Sequence, residues 1–338
     1  MNLESLPPFL QALLHPACYD HPVQKVGLVQ THISSVLLAG AYVYKFKKPV
    51  NFGFLDFSDL DKRRYYCEQE LVLNRRLCPD IYLELVTVTR EADGTFALGG
   101  QGQVVEYGVK MVRMPKERMM PRLIERGELA ASHIDALVEV LSHFYQRAEG
   151  GADIAAFGTA TAVAVNVLEN FDQTREFIDQ GALTRGQYDR ISQYAHNFLA
   201  REALFEERRA GAFIRDCHGD LYSANICLAD KVYIFDCIEF NQRFRYCDVA
   251  SDVAFLAMDL DFHGLEQLSK YFIGQFCRRS DDPGLPAVLD FYKSYRAYVR
   301  GKIGLFTAGD PKIDPRVREV SLQQAARYFQ LADRYVSL

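Results

Sequence analysis

No run of about 18 apolar residues occurs anywhere in the chain, so the pattern of a membrane-spanning helix is missing. The opening residues, Met1-Asn2-Leu3-Glu4-Ser5-Leu6-Pro7-Pro8, lack the basic start and continuous apolar run of a signal peptide, and a cytoplasmic protein is expected. C-x-x-C pairs are absent, and eight cysteines in 338 residues fall far below the density of a disulfide scaffold. Cys217, Cys227, Cys237 and Cys247, spaced at even intervals, are therefore expected to be reduced core thiols. Positive charge is in deficit: 39 Lys and Arg against 44 Asp and Glu give a net charge of -5. That balance supplies no overall field to recruit nucleic acid or anionic lipid, and neither nucleic acid nor membrane is an expected partner. The short clusters Lys45 to Lys48, Arg63-Arg64 and Arg75-Arg76 are the footing left for a nucleic-acid reading. Internal repeats and low-complexity stretches are also absent.

What is present has the balance of a globular protein, with 49% hydrophobic and 25% charged residues. A chain of 338 residues exceeds the size to which single cores usually grow, which predicts two lobes. Leu3 to Leu14 reads as a short helix. Val26 to Gln30, Val36 to Ala39 and Tyr42 to Lys47 read as three antiparallel strands, the last two turning at Gly40. Asp59 to Leu77 carries Leu60, Tyr65, Leu71, Leu73 and Leu77 on a roughly helical period, with Ser58 or Asp59 as N-cap. Ile81 to Arg90 and Phe96 to Leu98 flank the hairpin signal Asp93-Gly94, and Val104 to Met114 forms a further strand that stops at Pro115.

Beyond that point helical periodicity dominates, over Leu129 to Arg147, Ala162 to Gln180, Arg185 to Arg208 and several segments after Asp248. Only Cys227 to Phe235 reads as strand. The expected fold is α+β and bilobal, with residues 1–114 as an N-terminal nucleotide-binding lobe and 115–338 as a helical catalytic lobe containing a small hairpin. The hinge is expected near residues 113–116.

One constellation points to chemistry. Phosphoryl transfer needs a base, ligands for a divalent metal and a cation for the phosphates. His218-Gly219-Asp220-Leu221-Tyr222-Ser223-Ala224-Asn225 has the pattern H-x-D-L-x-x-x-N, in which Asp220 would accept the proton of a hydroxyl and Asn225 would bind Mg²⁺. A polar turn at Ala229-Asp230-Lys231 then separates two short apolar runs that end in Asp236. A hairpin there would bring Asp236 beside Asn225 as a second hard oxygen ligand. Upstream, Lys45 in a strand and Glu70 in the following helix suit a phosphate-gripping lysine held by a glutamate. Lys47 shares the strand face of Lys45, and Glu68 neighbours Glu70; either is an alternative partner. His218 is expected to brace the loop by hydrogen bonds rather than to transfer a proton. Solvated or capping roles are the default for Asp216 and Glu239. Asp259 and Asp261 could face a cationic substrate, although solvation at a helix end is the simpler expectation.

As a set, these motifs resemble the aminoglycoside phosphotransferase-like kinases, which have a protein-kinase-like fold. Within them the chain is similar to a bacterial subgroup in which the phosphotransferase half is often fused to a P-loop ATPase. Thr31-His32-Ile33-Ser34, Tyr44-Lys45-Phe46-Lys47-Lys48-Pro49-Val50 and Phe52-Gly53-Phe54-Leu55-Asp56-Phe57-Ser58 carry that resemblance at the N-terminal end. His218-Gly219-Asp220-Leu221 and Cys247-Asp248-Val249-Ala250 carry it further on, the latter resembling a segment that braces the catalytic loop. No G-x-x-x-x-G-K-[ST] occurs, so a stand-alone phosphotransferase half is expected. The turn Gln30 to Ser35 contains no glycine, and the resemblance implies that hydroxyls of Thr31, Ser34 or Ser35 and backbone N–H groups meet the phosphates. ATP and Mg²⁺ are the implied cofactors, with Lys45, Glu70, Ser34 and the backbone near Met114 around the nucleotide. The implied activity is phosphate transfer to an alcohol group of a small molecule. A nucleotide-binding regulatory module with little turnover is the alternative, and the intact trio Asp220, Asn225 and Asp236 argues against it.

Overall fold

The structure is a computed structural model and describes residues 6–311 and 313–337. By its contacts the chain divides into two compact units, Met1–Met119 with Cys227–Asn241, and Met120–Ile226 with Gln242–Leu338.

In the first unit, helix α1 (Pro8–Leu13) precedes strands β1 (Val26–Gln30), β2 (Ser34–Ala39) and β3 (Tyr42–Lys47). Helix α2 (Leu60–Asn74) and strands β4 (Tyr82–Arg90), β5 (Phe96–Leu98) and β6 (Gln103–Val112) complete the succession. The strands form one antiparallel sheet in the order β1-β2-β3-β6-β4-β5. The expected helix agrees with α1 from Pro8 on, and its first residues, 3–5, lie outside the described part. Gly40 makes the β2–β3 turn at φ 57°, a backbone conformation that a side chain would strain. Alternation along β3 sends Tyr44 and Phe46 into a core with Leu10, Leu13, Leu37, Ala39 and Val88.

Asp59 caps α2 by accepting the Lys62 N–H at 2.8 Å. The inward side of this helix sets polar residues beside Leu71 and Leu73. Arg63, Cys67, Glu70 and Asn74 are buried at helical spacing, whereas Tyr65, counted above among the apolar positions, is exposed. Arg63 reaches Glu106 on β6 at 2.9 Å and the Phe57 carbonyl at 3.0 Å, so its charge is compensated.

The second unit is mostly helical: α3 (Met120–Glu125), α4 (Ala131–Arg147), α5 (Ala152–Ala155), α6 (Ala160–Thr174), α7 (Arg185–Leu199) and α8 (Glu202–Ala210) come first. Short strands follow, β7 (Ile214–Asp216), then the hairpin β8 (Ile226–Leu228) and β9 (Val232–Ile234). From Cys227 on, this hairpin groups with the first unit rather than with the helices that surround it in sequence. After α9 (Gln242–Arg245) and β10 (Tyr246–Asp248) come α10 (Val249–Phe262), α11 (Glu266–Ser280), α12 (Leu285–Gly309) and α13 (Pro315–Val336). The pairing of β7 with β10 was not expected, because three residues on each strand are too few to show a period. The single helix expected over Arg185 to Arg208 is two, broken at Arg201 (φ -84°, ψ 56°), and the new direction turns Arg208 inward to Asp248 and Asp282. In α10 every residue from Val249 to Asp261 is buried, which marks it as the central helix of its unit.

All eight cysteines are free, with Cys217, Cys227 and Cys237 buried and Cys247 half-buried. Among the described residues no single helix is long and apolar enough to cross a membrane.

Candidate active site

The face of β3 opposite the core carries Lys45 and Lys47, and the register places Ser34 directly across from Lys47 and Val36 across from Lys45. Onto this face α2 brings Glu70, which both lysines share. Lys45 Nζ lies 2.8 Å from Glu70 Oε1, outside hydrogen-bond alignment, and Lys47 Nζ donates to Oε2 at 2.7 Å. Lys45 also donates to Asp236 Oδ1 at 2.6 Å, and Lys47 to Glu239. The two lysines differ in access. The Lys47 side chain is 1% exposed and that of Lys45 14%, while the Asp236 side chain is 46% exposed.

Burial alone would pull both ammonium groups down. The facing carboxylates outweigh it, led by Asp236 for Lys45 and by Glu239 for Lys47, and hold both lysines above their ordinary value. Burial pushes Glu70 up, but Lys45 and Lys47 together hold it below its ordinary 4.5. For Glu239 burial prevails over Lys47, and its carboxyl is raised. A carboxyl held lower in the folded chain than in the unfolded one contributes stability that is complete above 4.5 and is lost as the pH falls toward its folded-state value. Glu239 acts in the opposite sense, losing stability as the pH rises above 4.5. Glu70→Gln is therefore expected to flatten the loss of stability on acidification below 4.5, measured by urea denaturation across a pH series. An unchanged profile would remove Glu70 from the cluster.

Asp236 follows β9 with φ 64°, in the left-handed region that Asp and Asn tolerate better than most side chains. Its N–H donates to the Tyr82 hydroxyl at 3.2 Å, and the next N–H, of Cys237, donates to Asn74 Oδ1 at 2.9 Å. Cys78 Sγ donates to the Ile234 carbonyl at 2.8 Å. The end of α2 and the residues just after it thus hold the segment that presents Asp236. Asn74 has no signature in the sequence beyond its place on the polar stripe of α2.

Of the hydroxyls expected at the first turn, Thr31 is used within it, its Oγ1 accepting the Ser34 N–H at 3.0 Å, and Ser35 alternates onto the core face. Ser34 keeps a buried hydroxyl with no hydrogen-bond partner among the described residues, on the lysine face. Met114 lies half-buried in irregular backbone just past β6 and takes no part in the ion cluster.

In the second unit, α10 anchors the segment from His218 to Asn225. Asp252 accepts the N–H groups of His218 at 2.6 Å and Gly219 at 2.9 Å, and the Tyr145 hydroxyl at 3.2 Å. Two helical turns on, Asp259 accepts the Ser223 N–H at 3.0 Å. Arg296 of α12 donates to the Gly219 carbonyl at 3.0 Å. Gly219 itself has φ 86°, which accounts for glycine at this position. His218 is fully buried and its Nδ1 accepts the Asp220 N–H at 3.2 Å, the bracing role expected of it. Asn225 Nδ2 donates to the Asp220 carbonyl and to Asp220 Oδ2, each at 3.0 Å, and so orients the carboxylate.

Several expectations are corrected. The brace from the segment after β10 is Asp252, one turn beyond Asp248. Asp248 instead caps α10 through the Ala250 N–H at 2.9 Å and pairs with Arg208 at 2.7 Å. Asp216 and Glu239 are not solvated, being buried against Arg245 and Lys47. Asp259 and Asp261 do not end in solvent either: Asp261 is buried against Lys293 at 2.8 Å and the Tyr335 hydroxyl. A signal for Asp252 and Asp259 did exist, since acids seven apart in an otherwise apolar helix must find partners on one face.

Among the described residues no group of three or more His, Cys, Asp or Glu gathers as a metal site. Mg²⁺ asks for less, because it keeps water and takes phosphate oxygens alongside one or two protein ligands. The half-exposed carboxylate of Asp236 fits that need. So does Asn225, whose amide nitrogen is committed to Asp220 and whose oxygen remains an acceptor.

No family model matches the chain. An uncharacterized protein of Mycobacterium tuberculosis is 34% identical over 302 residues, covering 87% of this chain and 59% of the relative. A protein of Mycobacterium bovis, also uncharacterized, matches with 34% identity over the same coverage. The chain thus spans 59% of the length of these curated relatives. Among solved structures, a choline/ethanolamine kinase family protein of Mesorhizobium loti aligns with a TM-score of 0.51 at 12% identity, over 99% of this chain and 96% of that one. The chain has the protein-kinase-like fold. An ethanolamine kinase of Plasmodium vivax aligns with a TM-score of 0.47 at 11% identity, over 93% of this chain and 82% of that one. The kinase-like fold agrees with the α+β architecture and with the phosphotransferase resemblance read from the motifs.

Proposed function

We propose that this chain is an ATP- and Mg²⁺-dependent phosphotransferase acting on an alcohol group of a small molecule. The observation that carries the reading is Lys45, set between the buried Glu70 at 2.8 Å and the half-exposed Asp236 at 2.6 Å. Glu70 fixes the ammonium from behind, and the partner on its open side is one that phosphate oxygens can share. Lys47, enclosed by Glu70 and Glu239, has no such open side, which favours Lys45 as the phosphate-binding cation.

In this reading the first unit holds the nucleotide. Adenine lies against the backbone near Arg113 to Pro115, and the Ser34 hydroxyl donates to a phosphate oxygen. Asp236 and Asn225 hold Mg²⁺, which when bound neutralises phosphate charge. Asp220, oriented by Asn225, accepts the acceptor's hydroxyl proton while that oxygen bonds to the γ-phosphorus and the bond to ADP breaks.

Incubation with ATP, Mg²⁺ and a panel of hydroxylated metabolites is expected to give phosphate transfer that stops on chelation of the metal. Lys45→Met should lower kcat/KM by roughly a hundredfold or more, as loss of a preorganised charge does elsewhere. Lys47→Met should act on stability, by about 3–5 kcal/mol, because it leaves the buried Glu239 without its cation and Glu70 with Lys45 alone. Full turnover by Lys45→Met would overturn the assignment.

A further inference from the structure

The surroundings of Asp220 within the second unit bear on the acceptor. Arg300 of α12 places its guanidinium 4.6 Å from the centre of the Tyr222 ring and 5.7 Å from that of Tyr328 on α13. Asp220, two residues before Tyr222, is close enough to act on its charge. Among the described residues Arg300 Nε is buried without a hydrogen-bond partner, and the guanidinium forms no ion pair with a carboxylate.

Its neighbours are all satisfied. Arg208 has Asp248 and Asp282, Lys293 has Asp261, and Arg296 has the Gly219 carbonyl. The nearby acids are equally committed, Asp252 and Asp259 to backbone N–H groups of the loop. One cation beside the loop is therefore left without a carboxylate, its donor set met only in part, by the Tyr328 hydroxyl. Such a group costs stability unless a ligand completes it. A guanidinium matches carboxylate and phosphate oxygens better than any other group. The two tyrosine faces, which would otherwise suit a quaternary ammonium, are already covered by Arg300. Asp220, Tyr222 and Arg300 are each only half-buried, so a small molecule can reach them.

We infer that the acceptor carries an anionic group, carboxylate or phosphate, close to the hydroxyl that is phosphorylated, and that Arg300 is the residue that selects it. This rests on the phosphotransferase reading and names the substrate class it leaves open. The test compares glycerate and glycerol phosphate with glycerol, ethanolamine and choline as acceptors, in wild type, Arg300→Gln and Arg300→Lys. Transfer is expected to the anionic members, glycerate and glycerol phosphate telling the two kinds of anion apart. Arg300→Gln should raise the acceptor KM roughly 10- to 100-fold, the loss typical of a charge-assisted hydrogen bond, and leave the KM for ATP unchanged. Arg300→Lys, which keeps the charge and tests against mere misfolding, should recover part of the loss. Transfer confined to neutral or amine acceptors, or to none while Asp220-dependent ADP formation persists, would overturn the inference. So would an Arg300→Gln effect on ATP rather than on the acceptor. Absence of Asp220-dependent ADP formation would instead overturn the phosphotransferase reading itself.

Discussion

Asp220→Ala is expected to lower phosphate transfer by roughly a hundred- to ten-thousandfold, the range over which a positioned general base contributes. Alanine removes the carboxylate that Asn225 orients, so the acceptor hydroxyl loses both its proton acceptor and its alignment. The fold should survive. Asp220 is half-buried, and the backbone around it is held by His218, Asp252 and Arg296 through main-chain atoms. Asp220→Asn separates the two contributions, since its amide oxygen can still accept from Asn225 Nδ2 but takes no proton at neutral pH. Both variants should match the wild type in thermal unfolding and lose single-turnover rate, Asp220→Ala further than Asp220→Asn. Normal turnover by either, with the fold intact, would remove Asp220 from the chemistry.

The second large effect belongs to Asp252. This carboxylate is fully buried and accepts from two successive loop N–H groups and the Tyr145 hydroxyl, with Arg296 at 3.8 Å. Asp252→Ala leaves those donors without an acceptor and deprives Arg296 of a neighbouring anion. A loss of about 3–5 kcal/mol in denaturant stability is expected, the range for breaking a buried ionic contact from one side. Asp252→Asn keeps one acceptor oxygen and should fall between. Because the residue reaches the chemistry only through the loop, kcat should fall while the KM for ATP stays near its wild-type value. A variant that unfolds at the wild-type denaturant concentration would show that the loop does not depend on this helix.

What the sequence disclosed and what it hid divide along a physical line. Strands such as Val26 to Gln30 and the turn at Gly40 were legible because alternation and left-handed backbone leave marks on residue type. The segment from His218 to Asn225 stood out because the phosphotransferase pattern sets residue types at close spacing. Glu70 as the partner of a strand lysine was legible too, but its sharing between Lys45 and Lys47 was not. A charged side chain in a buried cluster looks in sequence like one on a solvated face, and Asp216, Glu239, Asp259 and Asp261 were all misjudged for that reason. Tyr65 was misjudged in the other direction. On α2 the buried side sets Arg63, Glu70 and Asn74 beside Leu71 and Leu73, so hydrophobic periodicity marked that side only in part. The break at Arg201 left no glycine or proline to announce it.

The assignment of residues 227–241 to the first unit bears on how the protein is made. On a ribosome, residues 1–119, bearing Lys45, Lys47 and Glu70, emerge before Asp236 and Glu239, which follow only after more than a hundred further residues have been translated. Until then one glutamate faces two ammonium groups at a site destined for burial. The first unit therefore cannot reach its final charge balance before residues 227–241 are made, and a chain cut after residue 119 would release it in that incomplete state.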